Sequence, residues 1–162
     1  MATDNTPLAA VAWKMRPFRA DDAQAISVIL LDSAEAAQWP PESYAKLADS
    51  PGGVFLIGEA DAQVVGFVAA RRVADEAEIL NIAVRPDFRG KGIASALLRA
   101  ALNEFLSSSV ARVFLELRES NLPARELYQR HGFVPSGRRK GYYRHPTEDA
   151  LCMHKEFTST SD

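Results

Sequence analysis

The stretch that decides the fold is Asn81-Ile-Ala-Val-Arg-Pro-Asp-Phe-Arg-Gly-Lys-Gly-Ile-Ala94, which runs directly into Ser95-Ala-Leu-Leu-Arg-Ala-Ala-Leu102. Its apolar opening predicts a strand, its middle a basic glycine turn, and its end the first turn of an amphipathic helix. Gly90 and Gly92 let the backbone come close to a ligand, because glycine has no Cβ and accepts positive φ. The first N–H groups of the helix have no internal partner, and the positive end of the helix dipole lies with them. A phosphate or pyrophosphate fits such a junction, and Arg85, Arg89 and Lys91 add positive charge to it. One ligand class that fits is a dinucleotide, since Gly90-x-Gly92 opens like a dinucleotide fingerprint and Glu116 ends a following strand. Against it, Ser95 stands at the third glycine position and some eighty residues precede the motif.

Outward from this junction the chain alternates strands and helices. Val11–Phe18 predicts a first strand. Ala20-Asp-Asp22 starts a helix with Ile26, Ile29 and Leu30 at helical spacing, and Gln38-Trp-Pro-Pro41 breaks it. A short helix follows over 41–49, with proline at its first position. Val54–Glu59 and Val64–Arg72 read as strands joined by Ala60-Asp-Ala-Gln63, and a strand over 76–84 leads into the glycine turn. The helix over 92–107 is followed by the β-branched and aromatic run Val110–Leu117. Asn121 caps another helix that tolerates Pro123 in its first turn and ends at His131-Gly132. Phe133–Tyr143 and Asp149–Phe157 close the chain as antiparallel strands. This order, β-α-α-β-β-β-α-β-α-β-β, predicts a three-layer α/β domain with a mixed sheet over 10–157, with a disordered lead-in at 1–9 and a flexible tail at 158–162.

The 162 residues suit one domain with one core. A net charge of −2 gives no global attraction to nucleic acid or to a membrane surface. No apolar run approaches the roughly eighteen residues of a membrane span, and the start lacks a secretory pattern. The single cysteine, Cys152, excludes an internal disulfide and fits a reducing cytoplasm. It falls in a terminal strand read as buried, with no basic neighbour to favour a thiolate, so it is not expected to be a nucleophile. His131, His145 and His154 lack metal-ligand spacing, and no metal is expected. Arg138-Arg-Lys140 with Arg144 is a local basic run, read either as a solvated strand end or as a substrate or partner contact.

Arg89-x-x-Gly92-x-Ala94 resembles the R/Q-x-x-G-x-G/A signature of the GCN5-related N-acetyltransferases (GNAT). The segment Glu116-Leu-Arg-Glu-Ser-Asn-Leu-Pro-Ala-Arg-Glu-Leu-Tyr-Gln-Arg-His-Gly-Phe133 resembles the strand–loop–helix block of the same superfamily. It matches at Leu115, Glu116, Arg118, Ser120, Asn121, Ala124, Leu127, Tyr128, Gly132 and Phe133. Within the superfamily the chain looks most like the ribosomal-protein alanine N-acetyltransferases (RimI). It shares N-I-A-V before the glycine turn, and Arg138-Arg-Lys-Gly-Tyr-Tyr143 with Glu148-Asp-Ala150 is similar to that family's R-R-x-Y-Y…E-D-A ending. The resemblance spans about residues 15–157. It departs at Gly141, an extra residue before the tyrosine pair, at the shortened loop Arg144–Thr147, and in the N-terminal half, which matches mainly at Trp39-Pro-Pro-Glu-Ser43.

The resemblance implies a three-layer α/β/α GNAT fold with a mixed, mostly antiparallel sheet, and acetyl-CoA as co-substrate. It implies that Arg89, Gly90, Lys91, Gly92, Ile93 and Ala94 hold the pyrophosphate. The backbones of Ile82, Ala83 and Val84 would bind the acetyl-pantetheine arm, and Asn121 would touch the coenzyme beside its capping role. Acetyl transfer needs an amine without its extra proton, donors for the tetrahedral oxyanion, and a proton for the departing thiolate. On the residues alone, Glu116 is either a general base beside apolar surface or a strand glutamate paired with Arg118. Tyr128 is either a proton donor or a packing residue beside Leu127 and Phe133. The resemblance makes Glu116 the base and Tyr128 the acid, with direct transfer and no acyl-enzyme. Trp39, Tyr142, Tyr143 and His145 are expected around the acceptor, although Trp39 serves equally as core.

An α-amine has an ordinary pKa of about 7.7–8.0 against about 10.4 for lysine, so a modest base serves a protein N-terminus with less help. This agrees with what the resemblance implies: acetylation of the N-terminal alanine of a small-subunit ribosomal or other protein, expected in the cytoplasm and by a monomer or weak dimer. A GNAT enzyme for a small amine or a lysine side chain remains open, as does a non-catalytic module that binds coenzyme A or a dinucleotide.

Overall fold

The computed structural model describes residues 12–158. The sequence readings of a lead-in at 1–9 and of a tail beyond Thr158 lie outside these residues. The elements are β1 (Lys14–Pro17), α1 (Ala23–Leu31, entered by a 3-10 turn at Ala20–Asp22), α2 (Pro41–Asp49), β2 (Gly53–Ala60), β3 (Gln63–Val73), β4 (Glu76–Val84), α3 (Ile93–Ser107), β5 (Arg112–Arg118), α4 (Leu122–Arg130), β6 (Val134–Tyr143) and β7 (Glu148–Glu156). The expected order holds throughout, and the differences are at element ends. The strands form one sheet in the order β1-β2-β3-β4-β5-β7-β6, antiparallel at every pair except β4 with β5.

Period-two alternation builds two cores on the two faces. On one face Phe55, Ile57, Phe67 and Ala69 pack under Ile26, Ile29 and Leu30 of α1 and Tyr44 and Leu47 of α2. On the other, Val54, Val65, Val68 and Ala70 meet Ile93, Leu97, Leu98, Ala101 and Phe105 of α3, with Leu127 and Tyr128 of α4 in the same cluster. The central strands are therefore covered on both sides. Helices α1 and α2 pack on β2, β3 and β4, which leaves their face of β5, β7 and β6 without a helical roof.

Two irregularities shape the middle of the sheet. First, β4 bulges at Leu80: Ile79 opposes Ala70 while Asn81 opposes Ala69. The extra residue inverts the phase of the strand. Ala77 and Ile79 face α3 before the bulge, Ile82 and Val84 face it afterwards, and Leu80 and Ala83 turn toward α1 and α2. Second, β4 and β5 pair only at Glu76–Arg112, Ala77–Val113 and Glu78–Phe114 and then separate. From Ile79 and Leu115 onward the two strands diverge, while β5 stays paired with β7 along its length.

The first strand is tied down by charge. Arg16 donates to both carboxylate oxygens of the buried Asp22 at 2.8 Å each and also pairs with Glu59 on β2. Burial alone would raise the Asp22 carboxyl, but the Arg16 guanidinium and the Arg19 backbone N–H outweigh it, and the net shift is downward. A carboxyl depressed in the folded state adds stability that is present above its unfolded value near ~3.9 and is lost as pH falls through the folded value. Arg16→Met leaves Asp22 without its main partner, at a cost of about 3 kcal/mol, or on the order of 10 °C in melting temperature at pH 7. Thermal melts across pH check this: the gap between variant and wild type closes as pH falls below the ordinary carboxylate range, through the lowered value at which Asp22 takes up a proton.

Candidate active site

The glycine turn forms as its sequence predicts. Pro86–Phe88 makes a 3-10 turn, and Gly90 and Gly92 take φ of +74° and +81°, with Gly92 as the N-cap of α3. A Cβ built on either glycine would meet nothing within 4 Å. The turn is thus an open cradle in front of the unpartnered N–H groups of Ile93, Ala94 and Ser95, and a diphosphate fits it.

The charge around the cradle differs from the sequence expectation. Arg89 does not point into it: its Nε donates to the Val84 carbonyl at 3.0 Å, and Nη2 donates to the Asp32 carbonyl at 2.9 Å and to Ser33 Oγ. Arg85 is taken by Asp87 and by Gln63 Oε1 and lies over the Phe88 ring. Both guanidiniums tie the turn to its surroundings, which leaves anion attraction to backbone N–H groups and to the exposed Lys91. Arg89, with Asn81 Nδ2 donating to the Ala37 carbonyl at 2.8 Å, also anchors the α1–α2 connection to the end of β4.

Ile82, Ala83 and Val84 sit where β4 has lost β5 as a neighbour, in register with Val68, Phe67 and Gly66 of β3. On their other edge the backbone groups border the opening between the strands. Across it, Asn121 caps α4 by accepting from the Ala124 N–H at 3.3 Å, as expected.

Glu116 and Tyr128 end up on opposite faces. Strand alternation turns Leu115 and Leu117 toward α3 and α4 and sends Glu116 to the unroofed side. There its side chain, 20% exposed, lies on the wall of a groove of about 320 Å³ together with Glu78, Arg71, Phe114, Arg139 and Cys152. Tyr128 lies in the α3–α4 core, only 6% exposed, with its ring 5.7 Å from that of Phe133. Burial raises its phenol well above the ordinary value, and Tyr143 adds to the effect. Tyr143 in turn is pushed up to about 12 by burial and then by the charge of Glu116. Tyr142, packed edge-on against Tyr143 at 5.1 Å, is raised by contact of its hydroxyl with the Glu116 carboxylate and then by partial burial.

Three sequence expectations change here. The partner of Glu116 is Arg139 of β6, with Nε 2.6 Å from Oε1, and not Arg118. Arg118 instead stacks on Tyr143 with its guanidinium 4.7 Å from the ring centroid, donates to the Arg144 and Pro146 carbonyls, and pairs with Glu148. It holds the β6–β7 loop and the tyrosine pair in place. Cys152 does have a basic neighbour: it is half-buried, faces Glu116 in register, and its thiol contacts the Arg139 guanidinium. Trp39 is not brought to the Glu116 groove; it packs on Tyr44 at 5.7 Å, against the α1–α2 core. His145 is exposed on the β6–β7 loop.

Sequence reasoning missed Arg139 and Arg118 as organisers of the site, and Ser95, whose Oγ lies 2.7 Å from His131 Nε2 and joins the start of α3 to the end of α4. The only signal for Arg139 was the basic run itself. Within that run Arg138 is drawn off by Glu119 at 2.7 Å, so Arg139 alone reaches the Glu116 carboxylate.

The family model described as "Acetyltransferase (GNAT) family" matches residues 14–133. A Bacillus subtilis (strain 168) protein provisionally named as a ribosomal protein bS18-alanine N-acetyltransferase is 37% identical over 122 residues, covering 75% of this chain and 81% of that protein. The ribosomal protein bS18-alanine N-acetyltransferase of Haemophilus ducreyi is 33% identical, covering 76% of this chain and 89% of that protein. Among solved structures, the ribosomal-protein-S18-alanine N-acetyltransferase of Escherichia coli is similar with a TM-score of 0.81 and 26% identity, covering 93% of this chain and 97% of that one.

The cradle generates a direct test. Gly92→Ala places a Cβ on a left-handed residue, which costs roughly 1–2 kcal/mol and reshapes the turn. Calorimetric titration with coenzyme A should show affinity weakened about tenfold, with the melting temperature lowered by only about 2–8 °C, so that the protein is still folded at the temperature of the titration. Unchanged affinity would place the diphosphate elsewhere.

Proposed function

The chain belongs to the GNAT acetyltransferase family and is an N-acetyltransferase; from that premise we propose that it moves acetyl from acetyl-CoA to the N-terminal α-amine of a protein that begins with alanine. Ribosomal protein bS18, named for its relatives, is the first acceptor to test. The observation that carries this reading is the split sheet, with a carboxylate on one face of the opening and a phenol on the other. Such an opening admits a thioester between a group that takes a proton from the amine and a group that gives one to sulfur.

In this reading the Gly90–Ala94 turn holds the diphosphate through backbone N–H groups and Lys91, and the free edge of Ile82–Val84 aligns the acyl arm. An N–H on that edge polarises the thioester carbonyl as it gains charge. Glu116 accepts the proton of the ammonium group. Tyr128, kept protonated at neutral pH by its buried surroundings, donates to the departing thiolate. Transfer is direct: the new C–N bond forms as the C–S bond breaks. Tyr142 and Tyr143, fixed by Arg118, flank the acceptor. The site of action is the cytoplasm, where ribosomal proteins are made. A GNAT enzyme for a small amine or a lysine side chain is the second reading, and the open groove beside Glu116 favours a peptide over a small amine.

The test pairs two peptides under acetyl-CoA, one with a free N-terminal alanine, the other N-blocked with one internal lysine. Mass spectrometry should find acetyl on the first alone; acetyl on the lysine alone would move the assignment to side chains. Glu116→Gln and Tyr128→Phe should each lower kcat/KM about 100-fold or more, the usual scale of a lost general base or acid, with coenzyme affinity retained. Equal loss of coenzyme binding would remove both residues from the chemistry.

A further inference from the structure

The partners in the Glu116–Arg139 pair are unequal. Glu116 belongs to a strand paired along its whole length, and its side chain is 20% exposed. Arg139 reaches in from the edge strand β6, its side chain is 62% exposed, and it rests against the Tyr142 ring at 5.7 Å and the Cys152 thiol. The other strongly paired charges of the groove, Arg71 and Glu78, satisfy each other at 3.1 Å. Glu116 is thus the groove carboxylate whose counter-charge comes from a movable arm.

We propose that Arg139 is a resident cation that occupies, in the free enzyme, the place beside Glu116 that the acceptor's α-ammonium takes, and that it returns once the amide is formed. The proposal rests on the reading of Glu116 as the base. A carboxylate that is mostly covered, beside Phe114 and the Tyr142 hydroxyl, is favoured in its charged form by a cation next to it. Exchanging a guanidinium for an ammonium keeps one cation beside it throughout. The exchange sacrifices little, because an exposed ion pair is worth little and Arg139 moves into water.

The ammonium gives one proton to Glu116, and its nitrogen forms the C–N bond. The C–S bond breaks with its electron pair on sulfur, which takes the Tyr128 proton. The second nitrogen proton returns to the Tyr128 oxygen through water. The product amide is neutral and offers the carboxylate no counter-charge. Arg139 then returns as Glu116 releases its proton to solvent, which resets the base and favours departure of the product. Arg139 is in this sense a positioning residue that competes with the substrate.

The test uses the full chain with Arg139→Gln and Arg139→Lys. Alaninamide is titrated at pH 7 against the carbon-13 carboxyl signal of Glu116, with N-acetylalaninamide as the neutral control. Alaninamide should move the signal at roughly threefold lower concentration in the Gln variant than in wild type, the scale of one exposed ion pair. The Lys variant should resemble wild type, and the neutral control should move nothing. With the alanine peptide, the Gln variant should show a lower KM together with a lower kcat. Superimposable alaninamide titrations in wild type and Gln variant, a raised KM, or a Lys variant that behaves like Gln would each overturn the proposal. The titration needs no turnover, so a wild-type enzyme that ignores the alanine peptide would count against the proposed acceptor while the fate of Arg139 is still decided.

Discussion

The parting of β4 and β5 after Glu78 and Phe114 is the constraint on which the site depends. Parallel neighbours normally continue side by side, because an unpaired backbone edge inside a protein forfeits hydrogen bonds. Here β5 is held by β7 from Arg112 to Arg118, and β4 by β3 from Glu76 to Val84, so each keeps one full ladder. The bulge at Leu80 lets β4 change phase where the strands separate. The opening is therefore stable without a ligand, yet it presents backbone donors and acceptors that an extended, amide-bearing ligand can use.

The electrostatics of the molecule follow a similar economy. Several of its arginines are engaged within the protein: Arg16 with Asp22 and Glu59, Arg85 with Asp87, Arg89 with the carbonyls of Val84 and Asp32, and Arg118 with Glu148 and the β6–β7 loop. A basic motif thus does not translate into free positive charge. At the glycine cradle the guanidiniums fix the shape of the turn, and backbone N–H groups are left to meet an anion. At Glu116 the engaged guanidinium stands on an edge strand with water on its outer side.

Legibility in the sequence tracked the range of the interaction. The elements were readable because each rests on local chemistry: apolar periodicity for α3, the Asn121 cap and Pro123 for α4, Pro41 at the first position of α2. The cradle was readable because two glycines two residues apart have few other uses before a helix. The reading of Glu116 as base and Tyr128 as acid came from the family resemblance, since spacing alone left it balanced against packing and a local ion pair. Trp39 could not be assigned from its neighbours, since a tryptophan on a proline-rich loop serves core and groove equally; its ring goes to Tyr44.

What the sequence determined by itself was the order of elements, the two-sided burial of the central strands, the glycine turn ahead of α3 and the membership of a catalytic family, all encoded in local patterns or in motifs. What only the tertiary structure decided was which charges meet. Arg118, two residues from Glu116 on the same strand face, goes to the β6–β7 loop, while Arg139, from the far edge of the sheet, reaches the carboxylate. Strand order places β7 between β5 and β6, and the reach of a long guanidinium side chain across it is set by that geometry. Contacts of this kind depend on registers fixed by the whole sheet, so no local pattern announces them.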